Sequence, residues 1–250
     1  IKTGTITFWA KNMATITTAS PTEKDTPARY LTRACAMFSA RPALGTNREN
    51  EKNEIEALLS TSSHLERRSS FFYITYKDLH ALAACVSVGL RRLLPFNNKR
   101  VGISGPNSIA WSIVDFACML ASRTSVGIHQ TYDTKSVEHV LQNSNIGVLF
   151  LTSDQLFQSI KSKRWNGKSV LENSSTVNHL VLLDSDVITE DEEKKWISKH
   201  RGVSLWSLKD LMDDKEEQEQ KQEQEQKQEQ EQENSELTVL YTSGSSGRPK

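Results

Sequence analysis

Residues 241–250 read Tyr-Thr-Ser-Gly-Ser-Ser-Gly-Arg-Pro-Lys and follow directly on the apolar run Leu-Thr-Val-Leu. Gly244 and Gly247 allow the backbone to adopt positive φ and to approach a ligand closely. Successive backbone N–H groups in such a turn form a concavity that binds anions. The hydroxyls of Thr242, Ser243, Ser245 and Ser246 can donate to phosphate oxygens. Lys250 adds a mobile positive charge, and Pro249 stiffens the chain before it. Together these groups suit a polyphosphate. They do not form a Walker loop, because G-x-x-x-x-G-K-[ST] is absent. The competing reading is a flexible Gly/Ser linker. A linker, however, does not ordinarily emerge from a five-residue apolar strand and continue into Arg-Pro-Lys.

Other residues with chemical potential are weaker candidates. Val101–Ser108, "VGISGPNS", has the form of a strand, a glycine turn and a capped helix, which can hold an anion at the helix N-terminus. It lacks the G-x-G-x-x-G spacing and reads first as a structural turn. His129 and His139 have no Cys, Asp or Glu at ligand spacing, so each reads as an ordinary surface or core histidine. No nucleophile elbow G-x-S-x-G appears. Cys35, Cys85 and Cys118 are far apart, sit among apolar residues and predict reduced, mostly buried thiols. The chain thus offers no metal site and no catalytic residue of its own, only the loop.

The elements that would position this loop are legible as alternating strands and helices. Residues 26–42 predict a helix with Thr26 as cap and Pro27 in its first turn. Residues 46–70 predict a charged loop with a turn or two of helix around "EIEALL". "FFYITY" predicts a strand. Thr75 and Asp78 form a capping-box pattern ahead of a helix whose apolar face is Leu79, Leu82, Ala83, Val86, Leu90 and Leu93. "KRVGISG", "SVGIH", "GVLFLT", "NHLVLLD" and "LTVLY" then predict strands. Between them "SIAWSIVDFACMLAS" (with Asn107 as cap), "DTKSVEHVLQNS" and "DQLFQSIKSK" predict helices. This is the pattern of parallel βαβ units, and the unbroken apolar runs suit strands buried on both faces. The expected fold is α/β, doubly wound, with mostly parallel sheets and flanking helices; ligands in such folds bind at the carboxyl ends of the strands.

Residues 215–233 contain only Lys, Glu and Gln, with a net charge of −5. Such a tract has nothing to bury and cannot offset its own ordering entropy. It predicts an insertion in a surface loop. Residues 1–25 predict a disordered or non-native leader, with the native start at Met13 or further upstream, and residues 26–250 predict one domain portion. The whole chain carries 31 basic and 31 acidic residues. That balance gives no reason to expect nucleic acid as a partner, nor attraction of the whole chain to an anionic membrane. No apolar run reaches the ~20 residues of a membrane span, and the thiols and lack of a signal pattern predict a cytoplasmic setting.

"YTSGSSGRPK" resembles the phosphate-loop signature of the adenylate-forming superfamily: acyl-CoA synthetases, luciferases and peptide-synthetase adenylation domains. "RPALG", "ITYKDLHALAACVSVGLRRL", "RVGISGPNSIAW" and "SVGIHQTYDTKSVEHVLQNSNIGVLF" extend the resemblance over most of residues 26–212. "TYDT" is most similar to the long-chain fatty acyl-CoA synthetases. The resemblance implies an ATP-dependent acid–CoA ligase. A carboxylate attacks the α-phosphorus of ATP, pyrophosphate leaves with Mg²⁺ sharing its charge, and coenzyme A then displaces AMP. It assigns phosphate contact to Thr242, Ser243, Gly244, Ser245, Ser246, Gly247 and Lys250. It also implies fatty acid, ATP and coenzyme A as small-molecule partners, with peripheral attachment to an organelle membrane open for the parent enzyme. The family's acyl pocket, adenine and ribose contacts and C-terminal lid follow this loop, so the chain is expected to be an N-terminal fragment, inactive in isolation. An adenylation domain loading a carrier-protein thiol, and a non-catalytic scaffold using the charged tract for interaction, are the alternatives.

Overall fold

The computed structural model describes residues 26–59, 63–94, 100–153, 176–184, 202–212 and 236–241. The leader 1–25, the tract 215–233, the "DQLFQSIKSK" helix and the loop 242–250 lie outside the described residues.

The first helix, α1, spans Pro27–Met37, with the Thr26 hydroxyl accepting the Arg29 N–H as its cap. It stops short of the expected end because Pro42 opens a strand, β1 (Pro42–Thr46). The segment 46–70, expected as a charged loop with a turn or two of helix around "EIEALL", holds that helix at greater length, as α2 (Glu49–Leu58), and an unexpected short strand, β2 (Glu66–Arg68). Its charged sequence conceals an inward face, since Glu51 and Ile55, four residues apart, are both buried. β3 (Phe71–Thr75) pairs antiparallel with both β1 and β2, giving a three-stranded sheet in the order β1-β3-β2. β3 runs directly into α3 (Tyr76–Leu93), where the Thr75–Asp78 capping box forms as expected and all six residues of the expected apolar face are buried.

The larger sheet is parallel throughout. Its strands are β4 (Arg100–Ser104), β5 (Thr124–Ile128), β6 (Val148–Leu151), β7 (His179–Leu182), β8 (Ser204–Ser207) and β9 (Thr238–Leu240). They are ordered β8-β7-β6-β4-β5-β9. α4 (Ile109–Leu120) links β4 to β5, and α5 (Thr134–Ser144) links β5 to β6. The short α6 (Leu208–Met212) follows β8.

Strand alternation divides the core into two layers. Val101, Ile103, Val148, Phe150 and Val181 face α3, α4 and α6. Val126, Ile128, Leu149, Leu151, Leu180 and Leu182 face α5. With helices on both faces, every residue of β6 is buried, which is why its sequence is continuously apolar. Gly89 lets α6 approach α3: a Cβ there would lie 2.7 Å from the Leu211 carbonyl oxygen, closer than side chains tolerate. Burial pushes the Cys35 thiol up to about 11 and the Cys118 thiol well above its usual range, so these groups are inert filling. No helix among the described residues is long and apolar enough to cross a membrane.

Candidate active site

α4 follows β4 on one face of the sheet and α5 follows β5 on the other, and in the run β5-β4-β6-β7-β8 the strand order reverses beside β4, between it and β6. A reversal of this kind opens a crevice at the carboxyl ends of the strands. Three chain segments meet that edge: Ser104–Ser108 after β4, His129–Asp133 after β5, and Tyr241 after β9.

The turn after β4 is not an open anion site. Gly105 has φ of 144°, a conformation that favours glycine. The helix cap is Ser108 rather than the expected Asn107: the Ser108 hydroxyl accepts the Trp111 N–H at 3.0 Å. The first amide of α4, that of Ile109, donates to the carboxylate of Glu51. Glu51 also accepts the Thr46 hydroxyl at 2.6 Å and pairs with Arg48 at 3.2 Å. An internal carboxylate thus already stands where a bound phosphate would, and the helix dipole favours it there. Sequence reasoning missed Glu51. The signal lay in its four-residue spacing from Ile55 within a segment that otherwise looks solvated.

The start of α5 is likewise self-capped. Asp133 accepts the Ser136 N–H at 2.8 Å. Hydrogen bonds from the Ser136 side chain and backbone hold the Asp133 carboxyl below its usual range.

β9 delivers the third segment. It pairs with β5 through Ser125↔Thr238, Val126↔Val239 and Gly127↔Leu240. Side chains reinforce this short ladder. Arg100 pairs with Glu236 at 2.9 Å, the Thr124 hydroxyl donates to the Glu236 carbonyl at 2.7 Å, and the Ser125 hydroxyl donates to that of Thr238 at 3.0 Å. The strand therefore ends at Leu240, and Tyr241 follows it on the carboxyl edge, beside β5. The predicted phosphate residues Thr242, Ser243, Gly244, Ser245, Ser246, Gly247 and Lys250 follow immediately, outside the described residues.

The two unassigned histidines both lie near this point. His129 is exposed; its Nδ1 accepts the Thr131 N–H at 3.3 Å and lies 2.7 Å from the Thr131 hydroxyl. The ring of His139 stands edge-on to that of Tyr241, with centroids 6.4 Å apart. Neither joins a metal cluster, and among the described residues no group of three or more His, Cys, Asp or Glu could hold a metal ion.

Known proteins agree with this architecture. The AMP-binding enzyme family matches residues 49–250. Fatty acyl-CoA synthetase B of Dictyostelium discoideum is 23% identical over 88% of the chain and 28% of its own length. Long chain acyl-CoA synthetase 2 of Arabidopsis thaliana is 24% identical over 92% of the chain and 30% of its own length. The chain therefore spans under a third of these relatives. Among solved structures, the A-PCP didomain of carboxylic acid reductase from Segniliparus rugosus, in complex with AMP, superposes with a TM-score of 0.59. It is 13% identical and covers 91% of this chain and 31% of that one. A long-chain-fatty-acid-CoA ligase from Archaeoglobus fulgidus gives a TM-score of 0.56 at 16% identity, covering 93% of this chain and 36% of that one. A parallel sheet whose strand order reverses beside β4, a strand, β9, that brings Tyr241 to the carboxyl edge of that sheet, and a family match over most of the sequence converge: the chain belongs to the AMP-binding enzyme family.

Proposed function

We propose that the protein to which these residues belong is an ATP-dependent ligase joining long-chain fatty acids to coenzyme A, and that residues 242–250 hold the phosphates of ATP. The observation that carries this reading is the placement of β9. It brings Tyr241 to the carboxyl edge of the sheet beside β5, where the N-termini of α4 and α5 already hold protein carboxylates at Glu51 and Asp133. The residue types that follow Tyr241, four hydroxyls, two glycines and Lys250, suit a polyphosphate. The fatty acyl-CoA synthetases among the relatives support the choice of acid and thiol.

In the reaction a carboxylate oxygen bonds to the α-phosphorus, and the bond from that phosphorus to the bridging oxygen breaks. Pyrophosphate departs with the electron pair. The loop's N–H and O–H groups and Lys250 meet the charge that gathers on the leaving group, with Mg²⁺ accompanying ATP. The thiol sulfur of coenzyme A then bonds to the acyl carbon, AMP leaves, and the thiol proton passes to solvent.

A donor that serves the leaving group acts on the transition state more than on the acid substrate. Ser245→Ala and Lys250→Ala in the full-length protein are expected to slow acid-dependent pyrophosphate exchange by ~10²-fold, in line with lost oxyanion donors. The Michaelis constant for the fatty acid should stay nearly constant. Exchange at the wild-type rate in both variants would remove the loop from the mechanism. Replacing coenzyme A with a pantetheinylated carrier protein in the second step tests the acceptor.

A further inference from the structure

We infer that Tyr132, Asn143 and Ser144 are positioning residues for the loop: they clamp Tyr241 from both ends of α5 and so set the direction in which residues 242–250 leave the sheet. This rests on the phosphate reading of the loop proposed above.

The clamp has two jaws. Tyr132, just ahead of α5, donates its phenolic hydrogen to the backbone carbonyl of Tyr241 at 3.1 Å. At the other end of the helix, Asn143 Nδ2 donates to the Tyr241 phenolic oxygen at 2.8 Å. The Ser144 hydroxyl shares a hydrogen with the same oxygen at 2.7 Å. One residue is thus held at its main chain and at the far tip of its side chain, which fixes both its position and its rotation about the strand axis.

The jaws are themselves fixed. The Tyr132 N–H donates to the His129 carbonyl at 3.0 Å, closing a tight turn after β5, and its ring rests 5.8 Å from that of His129. Ser144 is fully buried, and its carbonyl accepts from Arg100 at 3.2 Å. Arg100 also holds Glu236 at the entry to β9, so one guanidinium ties the clamp to the start of the strand. The β5–β9 ladder, with three residue pairs, could not by itself fix the exit angle. Catalysis depends on that angle, because a displacement of about 1 Å at a reacting group can cost on the order of 10²-fold.

The test uses Tyr132→Phe, Tyr241→Phe and Asn143→Ala in the full-length protein, each removing hydrogen-bonding atoms and leaving the apolar packing. Two quantities are measured: the kinetics of acid-dependent pyrophosphate exchange, and deuterium uptake by amides 242–247 and by β6. Tyr132→Phe and Tyr241→Phe should each lower exchange about 10-fold and raise the Michaelis constant for ATP, leaving that for the fatty acid unchanged. Asn143→Ala should do the same more weakly, because Ser144 still holds the phenol. Uptake in 242–247 should rise several-fold while β6 stays protected. Equal acceleration of uptake in β6 and the loop would show a merely structural role and overturn the proposal. So would wild-type exchange in the two phenylalanine variants when Ser245→Ala is impaired. If Ser245→Ala and Lys250→Ala are also unimpaired, the phosphate reading itself fails, and the two failures are told apart.

Discussion

β6 and β9 are strands of one sheet, three places apart, and are held by different forces. All of β6 is buried, and its four residues are apolar. β9 is an edge strand among the described residues, with Leu240 72% exposed, and it is secured by side-chain hydrogen bonds and an ion pair. Apolar burial is strong and non-directional. It stabilises β6 without specifying where an atom at its end should point. Hydrogen bonds contribute less each but are directional. The strand that carries the candidate loop is fixed by the weaker and more exact interaction. Stability and aim are therefore separable here, and substitutions should separate them.

The largest effect is expected in β6. Phe150 is fully buried against the α3–α4 layer. Phe150→Ala should cost about 3–5 kcal/mol in denaturant unfolding. A loss below about 1 kcal/mol would mean that the core refills easily and would break the contrast with β9.

Next comes a polar group that does structural work at the carboxyl edge. Glu51→Ala leaves the Ile109 amide and the Thr46 hydroxyl without their acceptor, at about 1–3 kcal/mol for buried groups left unsatisfied. Glu51→Gln keeps an acceptor oxygen and should cost less. Equal losses in the two variants would show that charge at the helix N-terminus, rather than hydrogen bonding, is what matters.

These two positions also mark what the sequence made legible. Phe150 sits in a run whose continuous apolarity announces a strand buried on both faces, and the parallel α/β fold followed from such runs. The capping box at Thr75–Asp78 was equally plain, because both its partners are local. Glu51 was not, since its partners lie in β1 and at the start of α4, and single-sequence periodicity registers no contact so distant. For the same reason only a turn or two of α2 was expected, around "EIEALL": its inward face consists of Glu51 and Ile55. The loop at 242–250 was legible as chemistry from its own residue types. The clamp at Tyr132, Asn143 and Ser144 was not, because β9 must first be placed beside β5 before those residues become neighbours of Tyr241.

A smaller effect is expected along the polar chain that reaches β9 from α4. Asp115 is hydrogen-bonded with Ser125, whose hydroxyl oxygen also lies 3.0 Å from that of Thr238. Burial raises the Asp115 carboxyl above its ordinary value of 3.8, and the Ser125 hydrogen bond opposes that in part. The fold thus favours the protonated acid. This contribution is complete below the unfolded value and is lost as pH rises through the folded one. Asp115→Asn removes the titration, so its stability relative to wild type should climb across that window and level off above it. A difference between the two that does not change with pH would show that the carboxyl is not perturbed by folding.

The smallest effect is expected in the Lys/Glu/Gln tract, for a reason the topology supplies. β8 and β9 are the two edges of the described sheet. Residues 213–235 must therefore carry the chain from α6, just after one edge, to the start of the strand at the other. Strands lie about 4.8 Å apart, so the full width to be crossed is roughly 24 Å. Deleting 215–226 leaves residues 213, 214 and 227–235, which at about 3.3 Å per residue still reach more than roughly 35 Å. Halving the length of a connection changes its closure entropy by only about 0.6 kcal/mol, in the stabilising direction. Glu236 and Thr238 remain bonded to Arg100, Thr124 and Ser125, so the deletion should leave β9 in place. The shortened full-length protein is expected to melt within a degree or two of wild type and to retain pyrophosphate exchange. A fall of several degrees would show that the deleted residues pack against the domain, and a selective loss of exchange would show that they help to aim β9.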